Sequence, residues 1–489
     1  MPPHANASTR RPHYNVTFAV LAVAIAAFAL LQSLVAPVLP TIQEHLHTSQ
    51  SAVTWVMTAY LLAASIATPI LGRVGDVVGK ERMLLVTLVA LGLGSLLAAL
   101  ATSISVLIIA RVIQGIGGGI LPLAFGIIRD EFPREKVSAA IGMAAALMAV
   151  GGGLGIVLAG PIVDSLDYHW LFWIPMIVVF GAAIATYLVV PESPVRTSGK
   201  INIPAAVLLS AWLVALLVAI SQGSAWGWTS GRVLGLLAAA VVLAALWIVF
   251  ELRSAVPLID MGMMRIPAVW TTNLVALLFG IGMYSVLTFL PEFVQTPSAA
   301  GYGFGASITG SGVFLLPMVV TMFLAGILAG RLADTLGAKP ILVAGSATTI
   351  AAMAWLAASH SRSWEVYQIS ALTGLGIGLA FSAMSALIVQ AVRPEQTGVA
   401  SGMNANIRTI GGSVGTAVMA SIVTSGAAAS GLPHDSGYTH GFWFLAAAAT
   451  LALIASLTIP AMRRKSATTE PAAAAADPEL ALPAPAGQD

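Results

Sequence analysis

The chain has 489 residues, of which 58% are hydrophobic and only 9% are charged. A soluble globular domain carries about a quarter charged residues, so this composition excludes a large water-soluble enzyme. It also excludes intrinsic disorder, whose signature is low hydrophobicity. Lysine and arginine number 22 against 20 acids, a net charge of +2 that gives no reason to expect a nucleic-acid partner. The absence of cysteine excludes disulfides and thiolate metal sites.

Apolar runs recur along the chain at the length that a helix needs to cross a bilayer, about 20 residues. Because the runs are continuous rather than alternating, they predict helices and not barrel strands. We count fourteen spans, at 17–37, 52–72, 83–101, 105–128, 138–160, 170–190, 203–221, 232–250, 268–290, 308–330, 340–358, 366–390, 398–425 and 441–461. The sequence therefore predicts an all-α membrane protein that is not an enzyme, since its short loops leave no room for a soluble catalytic domain.

The basic residues predict how these spans are oriented. An even number of spans places both termini on one side, and the loops of that side hold 18 of the 22 basic residues, whereas the opposite loops hold only Arg232 and Arg362. By the positive-inside rule this predicts a multi-pass protein of the inner (plasma) membrane with both termini in the cytoplasm. We interpret 1–16 as a cytoplasmic N-terminus and the Ala- and Pro-rich 462–489 as a disordered cytoplasmic tail.

Two parts of the chain repeat each other. Residues 72–79 align with 330–337, the glycines at 115, 117 and 119 align with those at 374, 376 and 378, and 150–155 align with 410–415. The offsets stay between 258 and 260, which predicts an N-terminal six-helix bundle at 17–190, a C-terminal six-helix bundle at 268–461, and two inserted linker helices at 203–250. Such parallel repeats are the plan of rocking transporters, whose substrate site lies between the halves near the midplane.

Several of these segments resemble signatures of the major facilitator superfamily. The loop from Gly72 to Arg82 is similar to its signature between helices two and three, and residues 111–117 resemble its fourth-helix signature. Residues 151–161 resemble the Gly-rich antiporter signature of the fifth helix. Residues 55–62 and 408–412 resemble the second and penultimate helices of the fourteen-spanner drug:proton antiporter branch. The resemblance covers about residues 15–460 and implies the major facilitator fold, proton-coupled drug efflux by alternating access, and a monomer.

The loop signature suggests a conformational latch that holds the cytoplasmic gate shut. We expect Asp76 to lie at a helix N-terminus of the opposite half or to pair with Arg129, because an anion is stabilised at either place. The alternative is that these are topology charges and turn-forming glycines. The candidate latch residues are Gly72, Arg73, Asp76, Gly79, Lys80, Arg129 and, in the second half, Asp334.

Two arginines lie inside predicted spans, where a charge is expensive and suggests a function. Arg111, with Gln114 beside it, could hydrogen-bond to a neighbouring helix or to substrate, and Arg408 faces a Gly-rich stretch. Neither can carry a proton, because arginine is not deprotonated in proteins. The alternative for both is a structural arginine satisfied by backbone carbonyls.

The fifth helix carries small residues at close spacing, with a proline at its predicted end. The residues are Gly151, Gly152, Gly155, Gly160 and Pro161. The resemblance implies a hinge or gate against proton leak, whereas plain close packing of two helices is the alternative. Aromatic residues that could line a lipophilic cavity, rather than pack or face lipid, are Trp55, Tyr60 and Tyr284.

No acid falls in the middle of a predicted span, so the group that couples protons must come from a span end. Glu292 ranks first and Asp164 second, with an exposed loop acid as the alternative for each. The first helix of the branch commonly carries an Asp where this chain has Leu31, next to Gln32. Because two arginines and no acid lie within the spans, we expect a neutral or anionic amphipathic substrate rather than a dication.

The sequence thus favours a proton-coupled exporter of amphipathic drugs, antibiotics or metabolites, whose partners are the lipid bilayer, its small substrate and protons. No phosphate-binding loop of the form Gly-x4-Gly-Lys-Ser/Thr occurs, so ATP is not expected to drive it. No cofactor and no metal site is predicted. A metabolite symporter or facilitator of the same fold remains the first alternative, and a non-transporting membrane sensor is a remote one.

Overall fold

The computed structural model describes residues 13–192, 202–254, 257–259, 261–393, 396–425 and 433–460. Most of the predicted N-terminal segment 1–16 and all of the predicted tail 462–489 lie outside these residues. Fourteen long helices account for nearly all of the described chain, and no strand occurs in it, which confirms the all-α prediction. Thirteen of the fourteen are long and apolar enough to cross a membrane. The remaining one, Arg134–Ser165, has 32 residues and an apolar stretch at Gly151–Ser165.

The helices are numbered here in chain order. The first seven are α1 (Tyr14–His45), α2 (Gln50–Val78), α3 (Lys80–Ala99), α4 (Ile104–Glu131), α5 (Arg134–Ser165), α6 (Trp170–Val189) and α7 (Ile203–Trp226). The second seven are α8 (Gly231–Arg253), α9 (Pro267–Gln295), α10 (Ile308–Leu336), α11 (Ala338–Ala358), α12 (Ser363–Ala391), α13 (Thr397–Thr424) and α14 (Asp435–Thr458).

Proline and glycine shape several of these helices. A 3₁₀ turn at Ala36–Val38 interrupts α1 at Pro37, and another at Ile116–Gly119 interrupts α4 at its glycine run. Proline tightens or breaks a helix because it lacks an N–H donor. The expectation that Pro161 ends the fifth helix is wrong, since α5 continues through it to Ser165.

Helix packing repeats with an offset of eight helices. In the first half α1 packs on α5 and α6, α3 packs on α4 and α6, and α2 packs on α4. In the second half α9 packs on α13 and α14, α11 packs on α12 and α14, and α10 packs on α12. Each pair in one half therefore has its counterpart in the other, as expected for two copies of one six-helix unit.

The two halves meet along two equivalent seams. One seam joins α2 to α13 and the other joins α5 to α10, so the same pair of helices is used from each side. Helix α7 lies across the first seam and contacts both α2 and α13, with Leu62, Leu213 and Ala417 in one buried apolar cluster. Helix α8 packs on α7 and exposes apolar side chains such as Leu234 and Val241, as a lipid-facing helix does.

Candidate functional site

A cavity of about 390 Å³ lies between the halves. Its walls come from α1, α2, α4 and α5 on one side and from the equivalent α9, α10, α12 and α13 on the other. The walls are mainly apolar and include five methionines, Met57, Met148, Met283, Met318 and Met322. Because methionine is flexible and polarisable, it adapts to ligands of different shape. A cavity of this size and lining suits one lipophilic molecule.

Arg408 supplies the positive charge of this cavity. Its guanidinium lies 4.3 Å from the centre of the Phe381 ring, and both side chains line the cavity. Within the part of the chain that the structure describes, no carboxylate pairs with Arg408. Among the described lining residues none is acidic. The described part of the cavity wall therefore presents the Arg408 cation without a carboxylate partner to any molecule that enters.

A hydrogen bond crosses the cavity from one half to the other. The Gln32 amide of α1 donates to the Tyr284 hydroxyl of α9 at 3.2 Å, and both residues line the cavity. The Tyr284 ring lies against the backbone of α13, where a side chain at Gly412 would overlap it. Close approach of α9 and α13, both in the second half, thus requires glycine at position 412 and fixes the position of the Tyr284 ring.

At one end of the molecule, the end that carries Asp164, the halves are joined. Gln295 at the end of α9 donates to the carbonyl oxygen of Pro37 in α1 at 2.6 Å. The Thr309 hydroxyl of α10 donates to the Asp164 carboxylate of α5. One turn earlier, Gly160 packs so closely on the backbone of Thr309 that no Cβ fits between them. These contacts seal the cavity at this end.

The cavity extends towards the opposite end, which carries Lys80. Gln390 at the end of α12 and Thr397 at the start of α13 belong to its lining, as does Phe125 of α4. The structure thus holds the cavity closed at the Asp164 end, whereas its lining continues towards the Lys80 end.

Glu292 lies at the sealed end and outside the cavity. Its carboxyl is buried, with 7% of the residue exposed, although it comes from the last turn of a helix. The Tyr438 hydroxyl of α14 donates to it at 2.5 Å, and the Gln50 side chain of α2 lies beside it. The Glu292 carboxyl therefore joins α9 to α14 and lies next to a polar side chain of the other half.

The predicted latch forms an ion network at the Lys80 end. Lys80 is buried between Asp130 at 2.7 Å and Asp76 at 3.5 Å, and Asp130 also contacts Arg129 at 3.3 Å. The structure therefore pairs Asp76 with Lys80 rather than with Arg129. Sequence reasoning missed Asp130, whose side chain is as buried as that of Lys80. Its place next to the candidate Arg129 in the sequence could have drawn attention to it.

The remaining latch residues lie around this network. Gly79 separates α2 from α3 with φ at 129°, a conformation that favours glycine. Gly72 contacts Pro122 of α4, and the Arg73 Nε is buried without a hydrogen-bond partner in the structure. Asp334 lies on α10, but its side chain is outside the described part of the chain.

Arg111 lies inside the first half and does not line the cavity. Its Nε donates to the Val56 carbonyl at 3.0 Å, its Nη1 donates to Gln114 at 2.8 Å, and its guanidinium lies 4.1 Å from the Tyr60 ring centre. The Gln114 amide in turn donates to the Ser95 hydroxyl. This geometry supports the structural alternative for Arg111.

The other predicted site residues also divide into those that line the cavity and those that do not. Of the three aromatic candidates, Tyr284 lines the cavity, whereas Tyr60 is buried within the first half and Trp55 is half-buried outside the cavity wall. Of the glycines of α5, Gly152 lines the cavity, and Gly151 and Gly155 pack on the backbone of α1. Polar cavity residues that sequence reasoning did not name are Ser33, Ser385, Thr397, Ser401 and Asn404.

The chain is similar in sequence to known membrane transporters. The sequence model of the Major Facilitator Superfamily matches residues 21–416 and 273–485. The multidrug transporter protein MdtP of Bacillus subtilis is 28% identical over 77% of this chain and 69% of its own length. The tetracenomycin C resistance and export protein of Streptomyces glaucescens is 28% identical over 86% of this chain and 78% of its own. A multidrug resistance protein B homolog of Mycobacterium tuberculosis is 30% identical over 77% and 70%.

Solved structures show the same fold at low identity. The human organic anion transporter MFSD10 superposes with a TM-score of 0.64 at 15% identity, over 91% of this chain and 100% of that one. A peptide transporter of the POT family superposes with a TM-score of 0.62 at 16% identity. Together with the family match over most of the sequence, these findings establish that the chain belongs to the Major Facilitator Superfamily.

Proposed function

We propose that this protein is a proton-coupled exporter that removes neutral or anionic amphipathic molecules, among them drugs and antibiotics, from the cell. The observation that carries the proposal is the apolar cavity between two equivalent halves, with Arg408 in its wall and no carboxylate paired with it among the described residues. The names of its relatives, which describe multidrug resistance and antibiotic export, support the direction of transport. All walls of the cavity come from one chain, which is consistent with a functional monomer.

The positive-inside pattern supports an orientation in which the Lys80 end faces the cytoplasm. The conformation described above is then inward-facing, with its outer end sealed by the contacts of Asp164 and Gln295. Substrate enters the cavity from the cytoplasm or the inner leaflet. Rocking of the halves closes the Lys80 end and opens the Asp164 end. Transporters made of two structural repeats move in this way about a substrate site near the middle of the membrane.

The lack of an acid in the described cavity wall supports the substrate class. A dication that enters such a cavity would lose its hydration and meet Arg408 without a compensating carboxylate, which is costly in a low-dielectric site. A neutral or anionic molecule escapes this repulsion, and its apolar part packs against the methionines.

Proton coupling is assigned to Glu292, with Asp164 second. Both carboxylates lie at the outer end and face the other half: the Gln50 side chain lies beside Glu292, and Asp164 accepts a hydrogen bond from Thr309. An ionised carboxylate only accepts hydrogen bonds, whereas a protonated one also donates. Protonation from the outside therefore changes the contacts that hold the outer end closed, which links the proton gradient to the rocking motion.

At the inner end we propose that the ion network of Asp76, Lys80, Asp130 and Arg129 acts as the latch. It already lies between α2, α3 and α4 in the inward-facing state. Asp76 is partly exposed and is free to meet the opposite half when the inner end closes. Differences of a few kcal/mol between such contacts are enough to shift a two-state equilibrium.

Expression in a host that lacks its own drug pumps tests export. We expect the chain to raise resistance to amphipathic neutral or anionic antibiotics, and we expect a protonophore to abolish that resistance. Accumulation of the compound in expressing cells, instead of its exclusion, would indicate an importer. Unchanged resistance to every compound tested would contradict the proposal.

Replacement of Glu292 by Gln tests the proton site. Inside-out vesicles with Glu292→Gln should lose uptake driven by a pH gradient, yet retain downhill exchange of substrate, because the cavity itself is unchanged. Glu44→Gln is the matched control, since Glu44 is an exposed acid at the same end. Full gradient-driven uptake by Glu292→Gln would assign coupling elsewhere, with Asp164→Asn next to be measured.

A further inference from the structure

The cavity contains one cluster in which three polar groups from both halves converge. Gln32 and Tyr284 are hydrogen-bonded between α1 and α9. The Arg408 backbone packs on Gly280, one turn before Tyr284 on α9, and all three side chains line the cavity. Gln32 and Tyr284 are 8% and 4% exposed, respectively, so little of either is open except to the cavity. The rest of the wall near them is formed by Met283, Leu287 and other apolar groups.

These three groups have unused hydrogen-bonding capacity. A tyrosine hydroxyl can donate one bond and accept others, and a glutamine amide can donate two and accept two. In the part of the chain that the structure describes, the Tyr284 hydroxyl accepts from Gln32, and no protein acceptor receives its proton. The Gln32 carbonyl oxygen likewise has no protein donor there, and Arg408 has the Phe381 ring as its neighbour but no carboxylate.

The chemistry of the cluster selects an anionic oxygen. A guanidinium binds ionised oxygens through charge-assisted hydrogen bonds, which are about twice as strong as neutral ones. The Tyr284 proton can be donated to the same oxygen, and a Gln32 N–H can be donated to it or to an adjacent carbonyl. A carboxylate, phenolate or enolate at the edge of an apolar ring system meets all three groups while its rings contact the methionines.

Engagement of Gln32 by such a ligand competes with its bond to Tyr284. That bond joins α1 to α9, the first helices of the two halves and each other's counterparts in the repeat. Its loss removes a direct tie between the halves at the level of the cavity. The Gln32–Tyr284 hydrogen bond lies in the cavity, away from the contacts of Gln295 and Asp164 that close the outer end. Substrate can therefore break the first without directly touching the second.

We propose that Gln32, Tyr284 and Arg408 form the anion subsite of the substrate cavity, and that its occupation by an ionised oxygen replaces the Gln32–Tyr284 hydrogen bond and so frees the halves to rock. This proposal rests on the proposed export function, because it assigns the substrate's charged end to that cavity. It turns a preference for neutral or anionic substrates into a preference for anionic ones.

Two dyes with one ring system test the charge selection. Fluorescein is an anionic xanthene and rhodamine 6G a cationic one, and binding of each to the purified full chain is measured by fluorescence polarisation. Wild type should bind fluorescein more tightly. Tyr284→Phe should weaken fluorescein binding by about three- to tenfold, the range expected for one lost hydrogen bond, and leave rhodamine 6G unchanged. Tyr187→Phe, at a side chain that is 73% exposed, is the matched control.

A charge change at Gln32 provides a second test of the anion subsite. Gln32→Glu places a carboxylate in the subsite, so the preference should reverse in favour of rhodamine 6G. The same change at the exposed Gln368 should not alter either affinity. Equal affinity of wild type for the two dyes, binding of neither, or an unreversed preference in Gln32→Glu would overturn the anion subsite.

The link to rocking has its own measurement. Because the chain has no cysteine, spin labels can be attached at Val78→Cys and Leu336→Cys, exposed equivalent positions of the two halves at the Lys80 end. Fluorescein should shift the label distance in wild type, and Tyr284→Phe should show part of that shift without dye. An identical distance distribution in Tyr284→Phe and wild type would overturn the link. If both dye results hold while the resistance test fails, the export function is wrong and the subsite stands.

Discussion

The two intramembrane arginines have the same charge but different surroundings. Arg111 is fully buried and satisfied by a carbonyl oxygen, an amide oxygen and the face of Tyr60. Arg408 has an aromatic ring beside it and an open cavity in front. Arg408 is half-buried and open to the cavity, so its guanidinium is available to a ligand, whereas the hydrogen bonds of Arg111 are already made within its half.

Loss of Lys80 should destabilise the protein. Its side chain is 3% exposed and pairs with that of Asp130, which is 4% exposed. Lys80→Met leaves the Asp130 charge buried without this partner, and breaking a buried pair costs about 3–5 kcal/mol. We therefore expect a clear fall in the melting temperature of the purified protein, measured by the fluorescence of its tryptophans.

The matched control for this prediction is Lys136→Met, because Lys136 is an exposed lysine near the same end. It should melt close to wild type. In the double variant Lys80→Met with Asp130→Asn, part of the lost stability should return, since the buried charge is gone. A melting temperature of Lys80→Met equal to that of Lys136→Met would show that the ion network contributes nothing to stability.

At the scale of helices, the composition of the sequence and its internal repeat are enough to predict most of the fold. Apolar runs of helical span length predict the all-α membrane class, because burial in lipid is a property of the whole run. The cavity wall could not be predicted in the same way, because it depends on how each helix is rotated. Tyr60 and Tyr284 look alike in sequence, yet the structure directs only Tyr284 into the cavity. Asp130 and Gln32 acquire partners from other helices, which no local pattern shows.

Helix α5 packs closely on α10 at the Asp164 end, which is the outer end in the proposed orientation. Gly160 meets the backbone of Thr309 in α10 without space for a Cβ. Gly160→Ala should therefore force α5 and α10 apart at this end, shift the equilibrium away from the inward-facing state and slow transport. Export rate in proteoliposomes measures the effect, and labelling of an introduced cysteine at Thr309 measures the opening.

Gly181→Ala is the control for that change, because a Cβ at Gly181 in α6 meets no atom within 4 Å. It should transport and label as wild type does. If Gly160→Ala also transports at the wild-type rate, with unchanged labelling, the close approach of α5 and α10 is not required for closure.

For the whole molecule, the paired seams α2–α13 and α5–α10 imply two related conformations. Each half uses the same two helices to meet the other, so exchanging the roles of the halves gives a second state with the Lys80 end closed and the Asp164 end open. The present asymmetry, sealed at one end only, is one member of that pair. A transporter of this design must break the contacts of Asp164 and Gln295 once in every cycle.

A covalent tie across the outer seam tests this requirement directly. The Asp164 and Thr309 side chains are hydrogen-bonded between α5 and α10, and the absence of natural cysteine makes any disulfide between introduced ones unambiguous. We expect the pair Asp164→Cys and Thr309→Cys to lose transport in proteoliposomes on oxidation and to regain, on reduction, the rate of the same unoxidised pair. The two single-cysteine variants, oxidised in the same way, serve as controls. They distinguish the effect of the disulfide from the effect of losing the Asp164 carboxylate. Full transport by the cross-linked protein would mean that the outer end does not open there, because a disulfide prevents the separation of α5 and α10 that alternating access demands.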